Sequence, residues 1–445
     1  MNTIYLEQYV KSLIKKVFRK KFLYSGDLRK YQLNKINEII DFAKMNSNFY
    51  KSFYSNLDTN IKSFDDIKKL PILKKDIFKK AMQNDEILCK IYNKNDLYSG
   101  DTTGSTGVPL TVYFDEDCIK KRDIVQQRLW QNMKIFDYKR FVRIWRDKKI
   151  SKKEKELIKA GLFLPIAVGD INEPISTAMT NEKLQKLLDD IVKFNPQIIR
   201  GYVSSLYNLA MLIEKQNIKL SNLESIVTSA EYLPEQIWQY FEKIFNCTVY
   251  NLYGGTEAPS IAVNKSCSHK MVISEDLYFV EVLDEYGNDT KPGEQGLITI
   301  TDLHSKAMPL IRYQIGDMAI VDESFYKFTQ DFRYFISVEG RTNDIFELED
   351  GSLIYSHLWH IYFRDQDWID RFQIIQKDKK TIHIKLLPLN KDDDKFEILK
   401  NKIEQIFSNI NFIWTFVDKF ELQNGGKFRA IISEIENKFN TLNKE

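Results

Sequence analysis

The chain reads as an α/β protein, with a large N-terminal domain over residues 1–339 and a smaller α+β domain over residues 340–445. Three observations predict this. At 445 residues the chain exceeds what one hydrophobic core usually serves. Helical and strand-like periodicities alternate through its first half. Each predicted strand ends where polar, unusual residues begin.

In residues 8–23, Val10, Leu13, Ile14, Val17 and Phe18 recur at helical spacing among Lys11, Lys15, Lys16, Arg19, Lys20 and Lys21. This basic amphipathic helix suits peripheral contact with an anionic membrane surface. Docking on its own domain with a solvated lysine face is the commoner fate. Residues 27–53 and 117–130 are helical in period, and 142–145 and 197–200 read as short buried strands. A strand in 221–230, a helix over 234–245 and a strand over 248–252 follow. After Cys267 come alternation over 277–283, a turn from Glu285, and alternation over 296–301, which predicts a hairpin-rich subdomain. Beyond Gly340, strands at 372–375 and 381–387, a charged turn at 391–395, a helix over 396–407 and a strand near 412–417 complete the chain. They make a unit of about a hundred residues, a normal size for a small domain.

Apolar residues make up 43% and charged residues 29%, a balance that buries a core and excludes general disorder. With 65 Lys and Arg against 62 Asp and Glu, the net charge of +3 gives no overall field pointing to nucleic acid. A small-molecule substrate is the expectation. Cys89, Cys118, Cys247 and Cys267 are widely spaced, as in reduced cytosolic proteins. No stretch approaches the roughly 18 apolar residues of a spanning helix. The first residues lack the basic start and apolar core of a secretory signal. A cytoplasmic location is predicted.

Three segments carry chemistry. Tyr98-Ser-Gly-Asp-Thr-Thr-Gly-Ser-Thr-Gly-Val-Pro109 gathers three glycines and five hydroxyls, which suits a loop whose N–H and O–H groups wrap a polyanion. It is neither a P-loop nor a dinucleotide fingerprint, and a plain hairpin loop accounts for it equally well. Tyr250-Asn-Leu-Tyr-Gly-Gly-Thr-Glu257 is a strand running into a loop. There Tyr253 offers a purine-stacking ring and Glu257 an oxygen ligand for Mg²⁺. In Pro309-Leu-Ile-Arg-Tyr-Gln-Ile-Gly-Asp317 the final aspartate follows a glycine turn and is suited to accept both ribose hydroxyls.

The order and spacing of these segments resemble the adenylate-forming superfamily of acyl-CoA ligases, luciferases and peptide-synthetase adenylation domains. Gly201-Tyr-Val-Ser-Ser-Leu, Thr228-Ser-Ala-Glu-Tyr-Leu-Pro234 and Thr301-Asp-Leu-His-Ser-Lys-Ala-Met-Pro-Leu-Ile-Arg-Tyr313 are similar to the phenylacetate-CoA ligase branch. Its capsule polysaccharide biosynthesis proteins of the CapK type are nearest. The resemblance implies an ATP- and Mg²⁺-dependent ligase that forms an acyl-adenylate in a large domain and carries a mobile C-terminal domain.

Residue by residue, the resemblance implies that Thr102, Thr103, Gly104, Ser105, Thr106 and Gly107 hold the ATP phosphates. It puts Ser229, Ala230 and Glu231 beside the adenine, and Tyr253, Gly254 and Gly255 between adenine and acyl group. Thr256 and Glu257 meet phosphate and Mg²⁺, Asp317 the ribose. Gly340-Arg-Thr-Asn-Asp344 resembles the hinge, with Arg341 reaching the nucleotide, and Asn424-Gly-Gly-Lys-Phe-Arg429 resembles the lysine loop. Lys427 then binds the substrate carboxylate and α-phosphate, with Thr103 and Glu257 as its catalytic partners. Tyr202, Ser204, Ser205 and Tyr253 line the acid's pocket. Two departures stand out: Val108 follows the last glycine where many relatives have lysine, and Asn343 precedes Asp344 where an acid is frequent.

The implied substrate is a carboxylic acid, and the acceptor an amine of a saccharide precursor or, alternatively, CoA. A non-catalytic nucleotide-binding protein is disfavoured by retention of Thr103, Glu257, Asp317 and Lys427. Cys267, His269 and Cys247 supply three zinc ligands where a structural site wants four.

Overall fold

The computed structural model describes residues 22–101, 111–145, 150–167, 181–265, 268–284, 286–338, 346–351, 353–354, 359, 362–363, 366, 368–420 and 431–435. Helices α1 (Leu28–Asn46), α2 (Asn48–Phe53), α3 (Phe64–Ile67) and α4 (Lys75–Gln83) come first. Asp27 caps α1 by accepting from the N–H groups of Arg29 and Lys30. The helical period over 27–53 is broken at Ser47, whose extended backbone ends α1 while its hydroxyl caps α2 at Tyr50 N. The antiparallel hairpin β1 (Tyr98–Asp101) and β2 (Thr111–Phe114) leads into α5 (Glu116–Asn132).

Strand and helix then alternate. The series runs β3 (Phe141–Trp145), α6 (Lys152–Lys159), β4 (Phe163–Ala167), α7 (Asn181–Phe194), β5 (Ile198–Gly201), α8 (Val203–Gln216), β6 (Ser225–Ser229), α9 (Glu235–Phe245) and β7 (Thr248–Tyr253). The strands pair in parallel in the order β4-β3-β5-β6-β7. From β3 the chain goes outward to β4 and returns to β5 on the other side of β3. That reversal is a topological switch point at the C-terminal ends of β3 and β5, the place where open α/β sheets take ligands. Asn217 and Asn246, at φ of 52° and 48°, end α8 and α9 in the left-handed conformation that asparagine tolerates.

Strands β8 (Ala262–Asn264) and β9 (Met271–Ile273) extend this sheet in antiparallel fashion. A second sheet comprises β10 (Tyr278–Leu283), β11 (Gln295–Asp302) and β12 (Tyr313–Ile320). Then β13 (Tyr334–Phe335) returns to β9 and β14 (Ser337–Val338) to β12. The ladder β15 (Phe346–Glu347) with β16 (Leu353–Ile354) precedes β17 (Ile369–Gln376), β18 (Thr381–Pro388), α10 (Asp393–Ile406), β19 (Asn411–Phe416) and β20 (Ile431–Ser433). The last sheet has the order β19-β18-β17-β20. The expected mixed α/β class is therefore observed.

Two local expectations are corrected. Of the charged stretch 391–395, residues from Asp393 on form the first turn of α10, because Asp392 caps it at Lys395 N and Asp393 and Asp394 favour a helix N-terminus. β10 does not alternate, being buried at all six positions. Phe279 stacks on Phe64 and Phe328, and the Glu281 carboxylate takes two hydrogen bonds from Arg312 at 3.0 and 2.8 Å.

One core cluster joins α1, the hairpin and the antiparallel strands; a second joins the parallel sheet, α8 and α9 to the C-terminal sheet. Buried ion pairs tie helices to the second sheet. Arg122 meets Asp302 at 2.8 Å, Arg128 grips both oxygens of Asp276, and Arg29 and Arg333 share Glu275. Among the described residues no helix is long and apolar enough to cross a membrane. The basic segment 8–23 lies outside the described residues except for its last two.

Candidate active site

The glycine-rich segment starts within β1. Its tip, carrying Thr102, Thr103, Gly104, Ser105, Thr106 and Gly107, lies outside the described residues, but both ends are placed. Asp101 pairs with Thr111, whose hydroxyl donates to Asp101 Oδ1 at 2.8 Å. Thr256 Oγ1 donates to the Asp101 carbonyl at 3.3 Å. Gly100 packs so closely that a Cβ there would lie 2.7 Å from Thr256 Cγ2. The hairpin is thus docked by its base on the loop after β7.

That loop depends on Gly254, at φ +158°, where a Cβ would fall 2.6 Å from Ser260 N and 2.9 Å from Ala258 O. The N–H of Gly255 donates to Ala258 O at 3.0 Å and tightens the turn. Thr256 is left exposed and Glu257 is turned inward, 7% exposed. The Glu257 carbonyl accepts from Arg122 Nη2 at 2.9 Å, and the Tyr313 hydroxyl lies 3.5 Å from its Oε1.

Asp317 sits on an irregularity of β12. Leu297 pairs with Met318 but Thr299 with Gln314, so Ile298 alone faces three residues, Ile315, Gly316 and Asp317. Gly316, at φ +93°, absorbs the turn. Asp317 is thereby brought to Tyr253, whose hydroxyl donates to Oδ2 at 3.0 Å.

At the end of β6, Ser229 Oγ donates to Leu252 O at 3.0 Å and Ala230 takes φ +70°. Glu231 then reaches the first turn of α8, accepting from Ser204 N at 2.6 Å and Ser204 Oγ at 2.9 Å. It replaces the cap that Tyr202 does not supply. Burial pushes its carboxyl up to about 8, against the lowering effect of the bonds from Ser204 and Val203.

The predicted acid-binding residues behave differently from one another. Ser204 spends its hydroxyl on Glu231, and Ser205 is 1% exposed, with no hydrogen-bond partner for its hydroxyl among the described residues. Tyr202 stacks on Trp145 with centroids 4.3 Å apart. A cavity of about 330 Å³ opens instead between the hairpin, α5 and the loop after β7, lined by Ser99, Arg122, Gln126, Thr256 and Ser260. Of these, the sequence pointed to Ser99, as a hydroxyl of the polyanion loop, and to Thr256. The helical period of α5 marks Arg122 and Gln126 as helix residues and nothing more.

Lys427 and Arg341 lie outside the described residues, as does Cys267. His269 Nδ1 is engaged by Glu235 Oε2 at 2.6 Å, with its ring on Trp238. Asp101, Tyr253, Thr256, Glu257 and Asp317, drawn from three separate segments, converge on one contact network.

Residues 173–304 match the family model of AMP-binding enzymes, and residues 346–434 match that of the CapK C-terminal domain. The protein CapK of Staphylococcus aureus is 26% identical over 428 residues, 92% of this chain and 90% of that one. Phenylacetate-coenzyme A ligase of Thermus thermophilus is 24% identical over 222 residues, 48% of this chain and 49% of that one. Among solved structures, 2-hydroxyisobutyryl-CoA ligase with 2-HIB-AMP and CoA in the thioesterification state shares the fold, with a TM-score of 0.64 at 15% identity. The match covers 93% of this chain and 91% of that one. The same ligase in its postadenylation state gives 0.57 over the same shares. In class, the chain is an adenylate-forming ligase. More particularly, it is CapK-like, with a match to AMP-binding enzymes followed by a match to the CapK C-terminal domain.

Proposed function

We propose that this ligase uses ATP and Mg²⁺ to convert a carboxylic acid into an acyl-adenylate and then passes the acyl group to an amine of a cell-surface polysaccharide precursor. The observation that carries the adenylation step is the convergence of the hairpin base, Thr256, Glu257, Tyr253 and Asp317. The resemblance assigns Thr256 to phosphate, Glu257 to the metal, Tyr253 to the adenine and Asp317 to the ribose, and the hairpin base carries the loop it assigns to the phosphates. In that step a carboxylate oxygen attacks the α-phosphorus and pyrophosphate leaves. Both reactants are anionic, so cations must offset the charge that builds up.

Lys427, from a C-terminal domain that begins near residue 340, is the cation we assign to the substrate carboxylate and α-phosphate. Thr103 and the other hydroxyls of residues 102–107 would cradle the phosphates, and Arg341 would reach the nucleotide from the hinge. The inward carboxylate of Glu257, next to Thr256 in the chain, fits Mg²⁺, which is commonly held by one or two carboxylates plus substrate phosphates. Among the described residues no cluster of three or more His, Cys, Asp or Glu forms an all-protein cage. The ion, when bound, supplies charge neutralisation on the phosphates.

The amine acceptor is supported by the match to CapK along 92% of the chain, whereas the Thermus phenylacetate-CoA ligase matches over 48%. That shorter match supports the second reading, a CoA thioester. Location in the cytoplasm belongs to the same proposal. The test is pyrophosphate exchange into ATP with a panel of acids, followed by mass analysis of product formed with CoA or with amino sugars. No exchange with any acid would refute adenylation. Rapid thioester formation without any amide would reverse the choice of acceptor.

A further inference from the structure

A cation near the C-terminal end of β5, beside the sheet's reversal, was not singled out in the sequence. Arg200, on β5, lies against two tryptophan rings, with its guanidinium carbon 5.5 Å from the centroid of Trp130 on α5 and 5.1 Å from that of Trp145 on β3. Trp145 stacks in turn on Tyr202 at 4.3 Å and 17°. The aromatic run Tyr202, Trp145, Arg200, Trp130 thus spans the C-terminal ends of β3 and β5.

What this arginine lacks among the described residues is an anion. Among the described residues it forms no ion pair, and its Nε has no hydrogen-bond partner. Glu154, the carboxylate that acts electrostatically on Arg200, is bonded to Arg143 at 2.5 Å, and Arg143 is the residue in register with Arg200 on β3. Every other buried arginine named above, Arg29, Arg122, Arg128, Arg312 and Arg333, holds a carboxylate.

We propose that Arg200 receives a second anionic group on the acyl substrate, so that the acid is a dicarboxylate or carries an equivalent second negative charge. The inference rests on the adenylation reading above and names the substrate class of that site. A guanidinium packed against indole rings recognises an anion through its N–H edge, and that fork matches a carboxylate bidentately. The rings also remove water from the cation, which strengthens its attraction for an anion. Burial lowers the Arg200 guanidinium to about 10, with Arg143 adding to the effect, and a bound anion would relieve both. At neutral pH the group remains charged.

The experiment titrates the full chain with matched acids of four to eight carbons, for example glutarate against pentanoate, at constant ionic strength. Tryptophan fluorescence is the readout, because Trp130 and Trp145 flank the site. Dicarboxylates should bind about 10- to 100-fold tighter than their monocarboxylate partners, the ratio that hydrogen bonds to a charged group supply. Arg200→Gln should abolish that ratio and Arg200→Lys should retain part of it, with melting temperatures recorded for both. Equal binding of mono- and dicarboxylates across the panel, or an unchanged ratio in Arg200→Gln, would overturn the proposal. So would a fall in melting temperature as the sole effect of Arg200→Gln. Failure of pyrophosphate exchange with every acid, alongside an intact binding ratio, would instead sink the adenylation reading.

Discussion

The Tyr253 hydroxyl donates to Asp317 Oδ2 at 3.0 Å, joining the end of the parallel sheet to a bulge in the antiparallel one across 64 residues. The bond orients a carboxylate that Gly316 has turned out of its ladder. If Asp317 reads the ribose, Asp317→Ala should raise the KM for ATP about tenfold or more, through loss of charge-assisted hydrogen bonds. Tyr253→Phe should raise it less. The check compares ATP with 2′,3′-dideoxy-ATP. A wild-type enzyme indifferent to the two nucleotides would remove Asp317 from that role.

Lys427→Ala should lower the rate of acyl-adenylate formation by about 10²–10³, the usual cost of one preorganised charge in a transition state. ATP binding and melting temperature should change little, since the contribution falls on the reaction step. Wild-type pyrophosphate exchange in this variant would contradict the assignment.

Glu257→Gln should impair Mg²⁺-dependent activity and raise the Mg²⁺ concentration it needs, so that added Mg²⁺ partly restores it, because one carboxylate ligand is lost while phosphate ligands remain. The measurement is the Mg²⁺ concentration giving half-maximal exchange. An unshifted value means that Glu257 does not hold the ion.

Glu231 makes stability depend on pH with a definite sign. Its folded carboxyl is raised to about 8 by burial, above the ordinary carboxyl value of 4.5. Between those values the unfolded chain has released a proton that the folded chain keeps, so stability falls as pH rises through this window and levels off above it. Glu231→Gln should flatten that part of the melting-temperature profile. Parallel profiles for wild type and variant would show that the carboxyl titrates normally.

Glu281 and Arg312 are buried together, and Arg312 also holds φ +48° and donates to the carbonyls of Lys68 and Leu70. Glu281→Ala should cost about 3–5 kcal/mol by leaving the guanidinium without its counter-charge. Denaturant unfolding measures it, and a loss below about 1 kcal/mol would mean that the carbonyls alone suffice.

Much of this protein follows from local sequence. The periods of α5 and α9 and of strands β3, β5, β6 and β7, the cap at Asp27, and the glycines of the loop after β7 each act within a few residues, so pattern and turn chemistry reveal them. The order of the motifs likewise pointed to the adenylate-forming class. Other features arise from partners far apart in the chain. β10 is buried throughout because Phe64, Phe328 and Arg312 close over it. Ser204 is bound to Glu231 by the crossover of β5 and β6, and Arg200 stands against rings from α5 and β3. Periodicity assigns a side chain to a face but does not name what lies opposite. That is decided when the sheet closes, because the free energy of a charge or hydroxyl depends on the groups brought within a few ångströms of it.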